Sequence, residues 1–567
     1  MAKVDKFTRT GGKLVVESLS EENVKHVFGL IGSAGMEIFD SLYDEKKIKF
    51  IGVRDERTGT HMADGYARAS GSAGVILAGQ NGPGVTNLVT GLAQASAAFS
   101  PVIALAGCLS SEHQYRDAFQ EVDQFSLLKT VTKKTYLVPS TARIPELVRD
   151  SFRTAMSPKR GPVAVNIPRD ILSQSIDSSE FFSPKGRELD VLCGPSAKVI
   201  DKVVSLIRKA KAPLILAGGG VKNGRYGKAV EKLSSILHAP LATSPGHGDA
   251  VSASFENYAG QVGPRGNMVA TELMQTADLI LAIGTRIGFN ATFFSYDNIN
   301  RQAKIIQVEL DPLSIGRFFP VEMGIFADAG VFTDSLIDAL KDYKPPVAAM
   351  KWVKQFKLKR KTLLDERDAV QITKGPIQPD ALFKALRGVC PTDSAFTLDA
   401  GTLCLQATDK LNFDVTPSLF SPLDFGLVGF SYACGLGVKI AMPERPVISL
   451  MGDGGFGMTS SELGTAAQYN IGTICVVMNN GCWGAEKAYQ RDFFNQRYLG
   501  ADVPNPRYDK LAELWGVRGY RVDTISQFEQ AMANALSENK PAVIDVMVDP
   551  DALYSFRRDS FKNRTKG

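Results

Sequence analysis

The sequence is short of several features that would direct its reading elsewhere. Its seven cysteines (Cys108, Cys193, Cys390, Cys404, Cys434, Cys475 and Cys482) are odd in number, widely scattered and contain no C-x-x-C pair. A disulfide framework or zinc site is therefore not indicated, and reduced thiols are expected. Uninterrupted apolar runs of about 18 residues, the length that crosses a bilayer, do not occur. The opening MAKVDKFTRTGG carries charge but no following apolar core of signal-peptide length. A soluble, cytoplasmic protein with no membrane partner is the expectation. Charge of one sign is lacking too: 65 Lys and Arg stand against 60 Asp and Glu, for a net +5. Nucleic acid is not an expected partner. No lysine follows a G-x-x-x-x-G, which disfavours a P-loop, and no short repeat or low-complexity segment appears.

What is present is a long chain with a regular rhythm. At 567 residues, 44% of them hydrophobic, it exceeds the roughly 250–300 residues at which a single core stops growing, so three domains are expected. Short apolar runs ending in Gly or a polar residue recur: PVIALAG (101–107), GPVAVNIP (161–168), APLILAGGG (212–220), DLILAIGTR (278–286), KIIQVELD (304–311), PVISLMGDG (446–454), TICVVMNN (473–480) and AVIDVMVD (542–549). Each reads as a strand buried on both faces. Stretches of helical spacing lie between them, such as 56–70, 198–210 and 527–539. That alternation predicts an α/β protein of doubly wound parallel sheets. Polar or Pro-bearing stretches at 177–190 and 342–370 break the rhythm and read as linkers. Domains are accordingly expected at 1–180, 190–345 and 375–567.

Two strand ends in the last domain carry the chemistry. PVISLM runs into Gly452-Asp453-Gly454-Gly455, and TICVVM ends in Asn479-Asn480-Gly481-Cys482. Asp453, the Asn480 amide and the Cys482 carbonyl form an oxygen set suited to magnesium. The glycines let backbone approach phosphate oxygens, with a helix expected to begin near Thr459 and point its N-terminus at them. If the strands are adjacent and parallel, both ends reach the same edge of the sheet.

An apolar strand, GDG, about 25 residues, a second apolar strand and NN make up a pattern that resembles the thiamine diphosphate enzymes. The resemblance implies a pyrimidine-binding N-terminal domain, a central domain, a diphosphate- and metal-binding C-terminal domain, and thiamine diphosphate with Mg2+ as cofactors. In such enzymes a Glu after the second N-terminal strand hydrogen-bonds the pyrimidine and activates the cofactor. FIGVRDERTGTHMADGYARASG matches that segment and makes Glu56 the candidate, with Asp55 where relatives often have His. A raised Glu56 pKa is expected in a dry pocket. Gln80 to Asn87 resembles the family's GPGxxN loop, placing Asn81 and Gly82 at the cofactor. Phe119 to Asp123 resembles the FQE segment of acetolactate synthases, in which Gln120 would face the reacting carbons. The stretch 424–430 resembles the segment that bends the cofactor, with Val428 as wedge and the Gly426 carbonyl as acceptor.

The likeness to the acetolactate synthase branch covers essentially the whole chain. Within that branch it resembles sulfoacetaldehyde acetyltransferases through Ile31-Gly32-Ser33-Ala34, Gln80-Asn81, Trp483-Gly484-Ala485-Glu486-Lys487 and Phe556-Arg557-Arg558-Asp559, and departs from them at Val428, where Cys is expected. Gly32 and Trp483 thereby join the cofactor-binding candidates. The resemblance implies a small carbonyl substrate with phosphate as acceptor, and anion contacts from Lys487, Arg557 and Arg558. It also implies a homodimer or homotetramer with active sites at subunit interfaces. Alternatives are a pyruvate carboligase like acetolactate synthase, a 2-hydroxyacyl-CoA or oxalyl-CoA lyase, and a non-catalytic cofactor-binding homologue. FAD, which acetolactate synthases hold in their central domain, is an option but not the expectation.

Overall fold

The computed structural model describes residues 8–177, 192–371 and 375–555. Among them, three six-stranded sheets are parallel throughout, each in an α/β layered arrangement, and a short antiparallel pair joins Thr8–Thr10 to Ser175–Asp177. Most inner strands are apolar and buried along their whole length, as Gly74–Ala78, Val102–Cys108 and Leu279–Ile283 illustrate. That is what a sheet covered on both faces requires. In each of the three sheets a switch in strand order leaves a crevice at the carboxyl ends of the two strands beside it.

The first and last sheets have the same strand order. Numbered along the chain within each sheet, the strands run 2-1-3-4-6-5. In the N-terminal sheet the switch lies between His26–Leu30 and Gly74–Ala78. In the C-terminal sheet it lies between Ala395–Leu398 and Val447–Gly452. The central sheet runs 3-2-1-4-5-6, with its switch between Pro213–Ala217 and Leu279–Ile283. There Gly218 and Gly220 pack against Gly284, the Gly220 N–H donating to the Gly284 carbonyl at 2.9 Å.

By internal packing the described chain divides into two compact units. Tyr432–Glu444 and Thr459–Gly472 belong with the N-terminal sheet, and the central and C-terminal sheets make up the second unit. Two expectations need correction. The charged stretch 342–370, read as a linker, contains the helix Val347–Asp368. Its Ala349, Val353 and Phe356 fall at i, i+4 and i+7 and are buried, Val353 and Phe356 in the central core, a narrow apolar stripe that the surrounding Lys and Arg obscure. A helical segment does start beside Thr459, which caps Ser460–Glu462, but the turn of helix directly after the GDG motif begins earlier, at Asp453, with Gly452 as its N-cap. The Gly pair keeps the turn tight enough for helix to follow strand directly. The stretch 177–190 lies almost wholly outside the described residues. No described helix is long and apolar enough to cross a membrane.

Candidate active site

In the N-terminal unit, strand Lys49–Gly52 feeds a helix that starts at Glu56. Asp55 is its N-cap, accepting the Arg57 N–H at 2.7 Å, and Gly71 closes it in the left-handed conformation. Glu56 is only 3% exposed although it opens the helix. The Asn87 amide donates to its Oε2 at 3.0 Å. Gly84 leaves room for the carboxyl group, since a Cβ there would stand 2.9 Å from Oε1. Burial raises the Glu56 pKa, against the Asn87 bond, which lowers it. The result is a carboxyl group disposed to hold a proton.

Around the N-terminal switch point the other candidates gather. Gly32 lies against Gly79 and Gln80 so closely that a Cβ would come within 2.5 Å of their backbone. The Ser33 N–H and hydroxyl donate to Gln80 Oε1 at 2.9 and 3.1 Å, and Gln80 Nε2 donates to Gln120 Oε1. The Asn81 amide donates to the Gln120 carbonyl at 3.1 Å. Gly82, at φ +59°, lets that same carbonyl approach where a side chain would stand. Gln120 belongs to a loop and has a left-handed backbone, φ +62°. Gly32, Asn81, Gly82 and Gln120 thus gather in one place, Asn81 joined to Gln120 by a hydrogen bond and the two glycines by close packing, and a Cβ on Gly84 would meet both Gln80 and Glu56.

The second unit assembles the other half of the candidates. Val447–Gly452 and Thr473–Asn479 are adjacent and parallel, so Asp453 and Asn480 emerge at the same sheet edge. Asp453 is 1% exposed, and burial raises its pKa. One end of the Asn480 amide lies 3.1 Å from the Cys482 carbonyl oxygen and 3.2 Å from Asp453 Oδ1. Two oxygens and an amide end that can present a third therefore converge on one point. Such a set is mutually repulsive unless the amide turns its NH2 inward or a cation neutralises it, and it fits a hard divalent cation. Among the described residues no cluster of three His, Cys, Asp or Glu offers a rival site. The Cys482 backbone is fixed by a bridge to Asp502, and its thiol, pushed up to about 11 by burial, stays protonated. The Trp483 ring lies over Gly454, where a Cβ would come within 2.6 Å of it.

The 424–430 segment reaches the same place. Gly426 and Gly429 are left-handed, φ +76° and +83°, and hold Val428 between them. A Cβ on Gly455 would stand 3.3 Å from Val428 Cγ1. Lys487 lies in the helix Gly484–Phe493 and its ammonium is 2.7 Å from Asp502 Oδ1. Its charge is already partnered, which weakens it as an anion contact. Arg557 and Arg558 lie outside the described residues.

Three models of one family match the chain. They are the thiamine pyrophosphate enzyme N-terminal TPP binding domain over residues 9–127, the central domain over 200–336 and the C-terminal TPP binding domain over 399–546. A sulfoacetaldehyde acetyltransferase of Alcaligenes xylosoxydans xylosoxydans is 32% identical over 97% of this chain and 95% of its own length. A probable acetolactate synthase large subunit of Methanococcus aeolicus is 30% identical over 96% and 93%. This chain belongs to the thiamine pyrophosphate enzyme family. It is accordingly a thiamine diphosphate-dependent enzyme of the group that contains the acetolactate synthases and sulfoacetaldehyde acetyltransferases.

Measured against what this family of enzymes must hold, four residues escaped the sequence reading. Asn505 Nδ2 donates to Asp453 Oδ2 at 2.6 Å, and the Tyr508 hydroxyl lies 2.8 Å from both the Asp453 carbonyl and Asn505 Oδ1. Neither stands in a motif. Glu462, wholly buried, accepts the Arg54 N–H at 3.0 Å and the Thr58 and Thr465 hydroxyls at 2.5 and 2.6 Å. It fixes the turn that delivers Glu56. Asp399 follows the apolar strand Ala395–Leu398 as Asp453 follows its own, a parallel that the sequence displays and that could have found it.

Proposed function

We propose that this enzyme converts sulfoacetaldehyde and phosphate to acetyl phosphate and sulfite. The observation that carries the reading is the segment Trp483-Gly484-Ala485-Glu486-Lys487 directly after the metal loop, in a chain matched end to end by sulfoacetaldehyde acetyltransferases at 31–32% identity. In the overall reaction the carbon–sulfur bond breaks with its electron pair leaving on sulfite. The aldehyde carbon becomes an acyl carbon bonded to a phosphate oxygen, the neighbouring carbon becomes a methyl group, and no external oxidant is needed.

Thiamine diphosphate supplies, when bound, a nucleophilic thiazolium carbon. Asp453, Asn480 Oδ1 and the Cys482 carbonyl would hold Mg2+, and Gly452, Gly454 and Gly455 would bring backbone to the diphosphate. Glu56 holds a proton toward the pyrimidine, which its raised pKa favours. Val428 and the Gly426 carbonyl would support the cofactor between its two rings, and the Gln80–Gln120 pair would face the substrate oxygen. Glu56 and the metal ligands belong to different subunits of a homodimer in this proposal. Glu56→Gln and Asp453→Ala proteins, each inactive, should regain activity when subunits are exchanged.

A pyruvate carboligase is the second reading, favoured by the 30% identity with acetolactate synthases over a comparable span. Two assays with thiamine diphosphate and Mg2+ decide between them. Phosphate-dependent sulfite release from sulfoacetaldehyde supports the acetyltransferase. Carbon dioxide and acetolactate from pyruvate, without sulfite release, reject it in favour of the carboligase.

A further inference from the structure

Asp399 stands at the switch point of the C-terminal sheet and does two things at once. Its Oδ2 accepts the Gly429 N–H at 3.0 Å and its Oδ1 the Phe430 N–H at 2.9 Å, so both oxygens grip the end of the turn that carries Val428. The Oδ2 that holds Gly429 also rests on the Gly452–Gly455 loop. A Cβ on Gly455 would come 2.2 Å from Asp399 Oδ2 and 3.3 Å from Val428 Cγ1, so glycine is the residue that lets all three meet. The side chain is 1% exposed. A fully buried carboxylate is costly to keep, and a turn needing only a buried acceptor could use a neutral one. Two diverging oxygens that bind successive N–H groups are what a carboxylate offers and an amide does not.

We propose that Asp399 is a positioning residue: it locks the Val428 turn onto the Gly452–Gly455 loop, so that the group bending the cofactor and the loop holding its diphosphate keep a fixed spacing. The inference rests on the reading of Val428 as the wedge. In it Asp399 acts through the backbone of its neighbours, Gly429, Phe430 and Gly455. Asp399→Asn keeps size and one acceptor but turns an NH2 toward the second N–H, which breaks half of the grip. Gly455→Ala pushes on Oδ2, the oxygen that holds the Gly429 N–H.

Amide hydrogen exchange over residues 425–431 in the cofactor-free protein, at one neutral pH, tests the clamp without the cofactor. Losing a hydrogen bond to a charged group should speed exchange at Gly429 and Phe430 roughly 10- to 100-fold in Asp399→Asn, and similarly in Gly455→Ala. The double variant Asp399→Ala with Gly455→Ala should exchange no faster than Asp399→Ala alone, because the new methyl group then has space. Unchanged exchange in Asp399→Asn overturns the clamp. In the loaded protein, Asp399→Asn should slow exchange of the cofactor's C2 proton about tenfold while the Kd for thiamine diphosphate with Mg2+ moves less than about threefold. Fast amide exchange with an unaltered C2 rate would leave the clamp real but Val428 wrongly read, and so overturn the positioning role by a different route.

Discussion

Asn505 offers the sharpest test of how the cation site is built. It contributes no oxygen to the candidate site; it donates one hydrogen bond to the Asp453 oxygen that faces away from Asn480. That bond is 2.6 Å long, partly buried and made to a carboxylate, the kind worth about 1.5–3 kcal/mol. Asn505→Ala leaves Asp453 Oδ2 without its donor in a site where burial already raises the pKa, so the proton competes better against the metal. The expected loss in Mg2+ affinity is about 10- to 100-fold, in line with other groups that orient metal ligands. Tyr508→Phe removes the hydroxyl that meets both Asn505 Oδ1 and the Asp453 carbonyl, and should weaken binding less, because Asn505 keeps its own bond to the carboxylate. The two changes act on one network and should not add. Magnesium titrations of thiamine diphosphate binding, followed by calorimetry, measure both variants and their combination. An Asn505→Ala protein with an unaltered magnesium midpoint and melting temperature would refute the assignment of Asp453 as a ligand oriented by Asn505.

Three further outcomes are expected. Glu56→Gln should bind thiamine diphosphate within a few-fold of the parent yet lose exchange of the cofactor's C2 proton; parental exchange would remove Glu56 from its role. Glu462→Ala takes the acceptor from the Arg54 N–H and leaves the Thr58 and Thr465 hydroxyls only the Asp55 and Gly52 carbonyls, and calorimetric unfolding should show a loss of about 1–3 kcal/mol. Asp399 is pushed up to about 6 from 3.8 by burial, so the folded protein binds its proton more tightly than the unfolded chain does. Its contribution is therefore full below the ordinary carboxylate range and disappears as pH rises through about 6. Cofactor-free protein should lose roughly 3 kcal/mol relative to Asp399→Asn across that window in denaturant unfolding, and a difference that is flat or grows with pH would contradict it.

The sequence by itself determined what is local along the chain. The helix Glu56–Ser70 matches the stretch read for it, because its cap, its apolar spacing and its closing Gly71 are neighbours in sequence. The adjacent parallel strands ending at Gly452 and Asn479 were legible for the same reason, each being an apolar run closed by polar residues, and the family patterns at these ends carried the cofactor class. The charged helix Val347–Asp368 was misread because its buried stripe is three residues wide amid lysines, and only packing reveals which face is covered. Tertiary structure alone decided the supporting groups. Asn505 reaches Asp453 across 52 residues, and Glu462 reaches Thr58 across 404. Hydrogen bonds of that span leave no periodicity and no spacing rule behind them, since the fold and not the chain brings donor and acceptor together.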